Sequence, residues 1–295
     1  MLSSWANAQE KFAQYPVRFT QYYQGGSFVN PALAGTHTDI EVNLGNQRMS
    51  GNLSRIASYY ALVNLRVRLG NRQSGPFSSF GILFYNDQEG KYLNRSRFYL
   101  VYAWHTHIFE ETKLSLGLSA GAMNYSVKGT PLSGNGSDIN PDAAVGIQVY
   151  RKSTWLGLSV NQLFNSEVQP LNEITVLAPY MNISGGSRFS LNNAIELIPT
   201  GSFRTSLTDI SQQQYKNQLS LNLRMNLFNR LEPGLGLHNN EKLVINLALN
   251  NLYPAYGQIG INLSYAFLIR KNTTLDTPLF ELGIIFHRDN KRIRF

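Results

Sequence analysis

Apolar and polar residues alternate with a period of two along much of the chain. From Gln218 to Leu227 every odd position is Leu or Met, and every even position is Gln, Ser, Asn or Arg. The same alternation recurs at 114–122, 243–249 and 259–267. Because successive side chains of a β-strand point to opposite faces, these segments predict strands with one apolar and one polar face.

Turn-forming residues divide the chain into about 14 strands of this kind. Most contain roughly 9 to 15 residues, which is longer than strands of soluble sheets and enough to cross a bilayer at a tilt. The predicted strands are 38–46, 55–69, 76–85, 95–107, 112–124, 141–150, 154–163, 179–189, 194–203, 215–228, 231–237, 242–250, 256–269 and 278–287.

The predicted connections alternate between longer loops, such as 86–94 and 125–140, and short turns, such as 108–111 and 151–153. Outer-membrane barrels show this pattern, with the short turns in the periplasm. We therefore predict an all-β fold, a transmembrane antiparallel up-and-down β-barrel of about 14 strands with a short irregular N-terminal element. A soluble β-sandwich is the alternative. The long strands, the arginines on their polar faces and the aromatic residues near strand ends favour the barrel.

Composition narrows the choice further. The 295 residues include 43% apolar and only 15% charged residues, and no cysteine, which excludes disulfides, thiolate metal sites and a cysteine nucleophile. No apolar run reaches the roughly 18 to 20 residues of a membrane helix. The net charge of +8 does not indicate nucleic-acid binding, because Lys and Arg are spread along the chain apart from the short tail 291–294.

The N-terminal region differs from the remainder. Ala6-Asn7-Ala8 has the form of a signal-peptidase site, which predicts a signal-peptide remnant at 1–8. Residues 9–37 form a predicted irregular N-terminal segment, since glycines and Pro31 interrupt any strand pattern. Residues 38–295 form the predicted barrel.

Catalytic and metal motifs are weak. Gly117–Gly121 matches G-x-S-x-G, but it lies within a predicted strand rather than on the strand–turn–helix that a nucleophile elbow requires. His105 and His107 share one strand face, where lining a polar lumen is the simpler interpretation than binding a metal. We predict no enzyme activity, no cofactor and no metal site. An outer-membrane hydrolase would need a serine and a histidine on a shared face.

Two N-terminal sequences carry a family resemblance: Phe-Thr-Gln-Tyr-Tyr at 19–23, and Phe-Val-Asn-Pro-Ala-Leu-Ala-Gly at 28–35. Together they resemble the opening signature of the PorP/SprF family of Bacteroidota outer-membrane proteins. Less specific similarity continues at 140–147, 155–163, 195–199 and 280–286.

The resemblance implies an outer-membrane component of type IX secretion and gliding motility. Such a barrel helps to secrete or anchor a large, adhesin-like surface protein that bears a C-terminal sorting domain. The implied partners are this cargo, other type IX secretion or gliding components, and outer-membrane lipid, but no nucleic acid. Loops 125–140, 164–178 and 204–214 are candidate contact surfaces. The alternative is a porin-like or fatty-acid-type transport channel.

Irregular backbone is tolerated at membrane depth only inside a protein or a wet cavity. We therefore expect the segment from Phe19 to Gly35 to enter the periplasmic mouth as a plug or docking element. An ordinary turn before the first strand is the alternative. The predicted partner-binding residues are Phe19, Gln21, Tyr22, Asn30, Pro31, Ala32 and Gly35. The predicted lumen-lining residues are Arg66, Arg68, His105, His107, Asn222 and Arg224.

Overall fold

Fourteen long antiparallel strands form one continuous sheet that closes on itself. The computed structural model describes residues 12–13, 19–21, 26–68, 75–129, 134–171, 174–208, 217–239, 242–252, 257–269 and 278–288. The predicted signal-peptide remnant lies outside these residues. The barrel strands are β1 (Ile40–Met49), β2 (Ala57–Val67), β3 (Phe77–Glu89), β4 (Leu93–His107), β5 (Lys113–Val127), β6 (Gly136–Tyr150), β7 (Thr154–Asn161), β8 (Tyr180–Ser187), β9 (Ile195–Ser206), β10 (Asn217–Leu227), β11 (Leu231–His238), β12 (Lys242–Leu252), β13 (Gln258–Leu268) and β14 (Leu279–Arg288).

Each strand pairs with the next in sequence, and the pairing of β14 with β1 closes the barrel. The closure leaves no free sheet edge among these strands, as membrane-spanning sheets require. The structure therefore confirms the predicted 14-strand barrel.

Side-chain exposure follows the sequence alternation. On β10, Leu221 and Leu223 are 48% and 52% exposed, whereas Ser220 and Asn222 are 1% and 4% exposed. The apolar side chains thus point outward and the polar ones point into the barrel. This arrangement inverts that of a soluble sandwich and suits a lipid-facing wall. Among the described residues, no helix is both long and apolar enough to cross a membrane.

The connections define two ends. At the short-turn end, tight turns such as 151–153 and 228–230 join the strands, and β1 begins there. At the opposite, long-loop end, the β7–β8 connection covers 162–179. By the rule for outer-membrane barrels, the short-turn end faces the periplasm.

The predicted long loop at 86–94 is wrong. β3 continues to Glu89 and β4 starts at Leu93, so only three residues connect them. Polar cross-strand pairs replace the apolar alternation there. The carboxylate of Asp87 lies 3.2 Å from the Arg95 guanidinium, and the amide of Asn86 donates to Ser96 at 2.8 Å. The strands continue because these side chains pair with each other.

The β7–β8 connection folds back over the long-loop end. Its residues Val168 and Leu177 are fully buried against Met123 and Tyr125 of β5. Within it, Thr175–Val176 pairs with Glu167–Val168 and, in parallel, with Phe12–Ala13 near the N-terminus. The N-terminal segment therefore extends from the long-loop end to β1 at the short-turn end.

Candidate functional site

Residues 19–21 and 26–37 of the N-terminal segment lie inside the barrel. We call these described residues the plug. They include two 3-10 turns, Gly26–Phe28 and Pro31–Leu33. The sequence placed this segment at the periplasmic mouth, whereas its contacts run along most of the lumen. It is irregular backbone enclosed by the wall, which is the condition under which such backbone is stable at membrane depth.

Near the long-loop end, the carboxylate of Glu281 on β14 holds the plug. The Thr20 amide donates to Glu281 Oε2 at 2.7 Å, and the Thr20 hydroxyl donates to the same oxygen at 2.6 Å. The Gln21 amide donates to Glu281 Oε1 at 3.2 Å. One fully buried carboxylate therefore accepts two main-chain N–H groups and a hydroxyl.

An aromatic cluster fixes the same part of the plug. The Phe19 ring lies edge-on to Tyr60, with centroids 4.6 Å apart, and edge-on to Tyr85 at 5.8 Å. Phe28 packs beside Tyr85 at 4.9 Å. Leu62, Leu83, Val101 and Ala103 complete this buried cluster. Burying Phe19 contributes about 2–3 kcal/mol by transfer from water alone.

Nearer the short-turn end, Asn30 organises the plug. Its Oδ1 accepts from the Ala32 amide at 3.0 Å, which caps the 3-10 turn that Pro31 opens. Its Nδ2 donates to the carbonyl oxygens of Ile147 at 3.1 Å and Leu158 at 3.4 Å. The Asn30 side chain therefore links the turn to the backbones of β6 and β7.

Three glycines of the wall form the surface beneath this turn. Gly117 of β5 and Gly146 of β6 are register partners, and Gly157 lies on β7. A Cβ on Gly117 would lie 2.1 Å from the Ala32 nitrogen, and one on Gly157 would lie 2.8 Å from Asn30 Nδ2. The plug backbone therefore excludes a side chain at Gly117, and a side chain at Gly157 would displace the Asn30 amide. We call Gly117, Gly146 and Gly157 the glycine floor.

Wall side chains satisfy the carbonyl groups of the plug. Ser159 donates to the Val29 carbonyl at 2.8 Å, and Ser115 donates to the Ala32 carbonyl at 2.7 Å. His105 Nε2 lies 2.8 Å from the Ala34 oxygen, and Arg66 Nε donates to the Gly35 oxygen at 2.8 Å. Buried main-chain polar groups need such partners, so these contacts favour an ordered plug over a loosely placed one.

Gly35 lies near the end of the plug, shortly before β1, and also contacts the wall. Its φ is +72°, and a Cβ there would lie 2.6 Å from Ser79. Both the backbone conformation and the contact favour glycine.

The predicted partner-binding residues are all in contact with the wall where they can be described. Phe19, Gln21, Asn30, Pro31, Ala32 and Gly35 are buried in the barrel. Tyr22 lies outside the described residues. Their contact with a partner stays a prediction, and it would require the plug to leave its seat.

The predicted lumen-lining residues divide into two groups. On the side of the plug, Arg66 and Arg68 pair with Asp39 at 3.1 and 2.8 Å. His105 stacks on Phe77, with ring centroids 4.2 Å apart. These three residues support the plug or the backbone next to it.

The other predicted lining residues belong to the side of the lumen that the plug leaves uncovered. A cavity of about 1000 Å³ opens at the short-turn end, and His107 and Arg224 contribute to its lining. Arg224 donates to Glu232 at 2.5 Å. At the mouth Arg151 donates to Glu111 at 2.8 Å, and this bond lowers the pKa of the Glu111 carboxyl. Asn222 is also buried on this side, and its side-chain N and O make no hydrogen bond to the protein within the described part.

The contacts also bear on the hydrolase alternative. The serine in contact with His105 is Ser115, whose Oγ lies 3.5 Å from Nε2, rather than Ser119 of the G-x-S-x-G match. Ser115 donates to Ala32 and His105 contacts Ala34, so both polar groups hold the plug. Their geometry is structural.

Sequence reasoning missed Glu281, Ser115, Ser159 and the role of the glycine floor. One signal was present: Gly117, Gly146 and Gly157 occupy positions of the polar, inward face. A glycine there leaves space for backbone from elsewhere in the chain to approach the wall.

Comparisons with known proteins agree with this architecture. The model of the type IX secretion system membrane protein family PorP/SprF matches residues 11–286. No curated protein sequence matches the chain.

Among solved structures, the chain resembles a Pseudomonas aeruginosa FadL homologue with 8% identity and a TM-score of 0.52, covering 89% of this chain and 92% of the other. It also resembles the CymD monoaromatic hydrocarbon channel with 11% identity and a TM-score of 0.54, covering 94% and 96%. At such low identity these similarities concern the fold alone. The family match covers the plug and nearly the whole barrel, and the chain therefore belongs to the PorP/SprF family of type IX secretion membrane proteins, as a β-barrel of the bacterial outer membrane.

Proposed function

We propose that this barrel helps to secrete or anchor a large, adhesin-like surface protein with a C-terminal sorting domain, and that the plug closes its lumen at rest. Membership of a type IX secretion family implies work with other secretion components. The observation that supports the closed lumen is the plug itself. Its carbonyl groups are bonded to wall side chains from β2, β4, β5 and β7, as expected of a stable closure.

The long-loop end is the surface we propose for cargo contact. It faces outward in an outer-membrane barrel, and the β7–β8 connection there carries the small sheet that includes Phe12–Ala13. Cargo that pulls on this sheet would act directly on the chain that leads into the plug. The described members of the predicted partner-binding set then become available to a partner only after release: Phe19, Gln21, Asn30, Pro31, Ala32 and Gly35.

The experiment is a pull-down of the tagged barrel from detergent-solubilised outer membranes, followed by mass spectrometry. Recovery of a large protein with a C-terminal sorting domain, or of type IX components, is the expected result. A variant lacking residues 17–35 tests the docking role of the plug. Wild-type partner recovery by that variant would remove the docking role and leave the loops as the contact surface.

A transport channel is the second candidate. The cavity of about 1000 Å³ on the uncovered side and the fold similarity to a hydrocarbon channel favour it. In this case the plug would gate a small solute. A barrel that purifies without secretion partners, and that conducts ions when reconstituted, would favour the channel over the anchor.

A further inference from the structure

A small cavity of about 30 Å³ lies between the plug and the wall, towards the long-loop end. Its lining includes Ser27 and Phe28 of the plug, Arg97 of β4 and Gln162 at the start of the β7–β8 connection. It shares no lining residue with the larger cavity at the short-turn end. One water needs about 10–15 Å³ of such space, so the cavity has room for about two waters or for one monatomic ion.

The guanidinium of Arg97 is buried beside this cavity with only neutral partners. Arg97 is 2% exposed. Its Nε donates to the Met123 sulfur at 3.1 Å, and its guanidinium carbon lies 5.6 Å from the centre of the Tyr85 ring. A thioether is a weak acceptor. The Nη2 atom has no hydrogen-bond partner, and Arg97 makes no ion pair with any residue that the structure describes.

Arg95, two residues earlier on the same face of β4, shows the usual arrangement of a buried arginine. Its guanidinium pairs with the carboxylates of Asp87 at 3.2 Å and Glu89 at 2.5 Å. Burying a charged group without a partner of this kind costs free energy. Arg97 has the same burial without the paired carboxylate.

The carboxylate of Asp142 also lines the cavity, but other groups bind its oxygens. The Tyr99 hydroxyl donates to Oδ2 at 2.5 Å, and the Ala143 amide donates to Oδ1 at 2.7 Å. Since this carboxylate is not within ion-pair distance of Arg97, it leaves the guanidinium Nη2 without a partner.

Gln162 brings a second unpartnered donor to the same cavity. It is 2% exposed, and neither its side-chain nitrogen nor its side-chain oxygen has a hydrogen-bond partner in the described part of the chain. Its φ is +58°, a left-handed conformation that is uncommon outside glycine. Such a conformation persists only where the surrounding structure fixes it. The side-chain amide of Gln162 is therefore held in a buried position beside the cavity, where it can donate to a ligand.

We propose that this cavity binds one chloride ion, held by the Arg97 guanidinium and the Gln162 amide and covered by Ser27 and Phe28 of the plug. The charge of the occupant follows from the buried cation, and its size follows from the volume. Water alone would leave the cation without a counter-charge, and the volume suits a single atom rather than an oxyanion such as sulfate. The site does not depend on the proposed function.

The first test needs no variant. Crystals of the wild-type barrel are grown with bromide in place of chloride, and diffraction is measured at the bromine absorption edge. We expect an anomalous difference peak in the cavity, within hydrogen-bond distance of Arg97 Nη2. Ordered water at this position, without an anomalous signal, would overturn the proposal.

The second test is the chloride dependence of thermal unfolding, with gluconate replacing chloride at constant ionic strength. An ion that binds only the folded protein raises its stability as the ion concentration rises. The unfolding midpoint should rise with chloride in the wild type and stay constant in Arg97→Gln. Arg151→Gln is the matched control, because it removes the same charge from a side chain that is 60% exposed at the mouth. It should respond as the wild type does.

Asp142→Asn tests the sign of the charge at the site. This substitution removes a negative charge from the lining of the cavity, so the rise in the unfolding midpoint should occur at lower chloride concentrations than in the wild type. A midpoint that ignores chloride in the wild type, or that responds alike in R97Q and the wild type, would show that the cavity holds no chloride.

Discussion

The side-chain oxygen of Asn30 occupies the space beside Gly146, where a Cβ atom on that glycine would lie only 1.9 Å away. Two parts of the chain separated by more than one hundred residues are therefore complementary in shape. The plug supplies an amide side chain that caps its own turn and binds two wall carbonyls. The wall supplies a position without a side chain.

This contact predicts that Gly146→Val releases the plug from the glycine floor. No small shift can relieve the overlap, because Asn30 is held by hydrogen bonds on three sides. Ser27→Cys reports the release, because cysteine is nearly isosteric with serine and Ser27 is only 4% exposed. We expect maleimide to label S27C slowly, and S27C/G146V much faster.

Gly201→Ala is the control for glycine replacement, since its Cβ would meet Leu221 at an ordinary 3.5 Å. S27C/G201A should label as slowly as S27C alone. Slow labelling of S27C/G146V, with the barrel folded, would show that the plug does not depend on this contact.

Glu281→Ala should free the other end of the plug. The substitution removes the acceptor of both main-chain N–H groups and of the Thr20 hydroxyl, at a cost of about 1–3 kcal/mol per unsatisfied group. A cysteine at Gln21, a residue 1% exposed, should then become accessible to maleimide. S27C should change less, because Asn30 and the glycine floor still hold that part.

Glu281→Gln gives a matched comparison, because it keeps one carbonyl acceptor and the side-chain volume. Maleimide should label Q21C less in the Glu281→Gln background than in the Glu281→Ala background. Equal labelling of Q21C in all three backgrounds would mean that the carboxylate does not anchor the plug.

Phe19→Ala should destabilise the region around the plug by about 3–5 kcal/mol, the usual cost of removing a buried phenylalanine. The ring contacts Tyr60 and Tyr85 in the aromatic cluster. The change is measured by urea titration, with hydrogen exchange of the β2 and β3 amides as the readout. Phe98→Ala is the control, because Phe98 is 48% exposed on the outer wall. A larger effect of F98A than of F19A would argue against the cluster as a source of stability.

The barrel could be predicted from the sequence because hydrophobic alternation records which face of each strand meets lipid. Boundaries were harder where polar pairs replaced apolar alternation. At Asp87 and Arg95 the strands continue through residues that are typical of loops, since cross-strand pairing and not hydrophobicity stabilises them there.

The contacts of the plug were not predictable in the same way. Many inward positions of the wall carry serine, asparagine, glutamine or a charged residue, so Ser115, Ser159 and Glu281 do not differ by residue type from other lining residues. Their roles depend on which parts of the wall the segment reaches, which is set by the closure of the barrel. Irregular backbone around Pro31 was predicted, but its seat on β5, β6 and β7 was not.

In the proposed resting state the plug closes the lumen, and the barrel is not an open channel. Single-channel recording in planar bilayers tests it most directly, with the wild type compared with Gly146→Val and with the Gly201→Ala control. We expect the wild type and G201A to be silent and G146V to conduct. Steady conductance of the folded wild type, unchanged in G146V, would contradict the closed lumen.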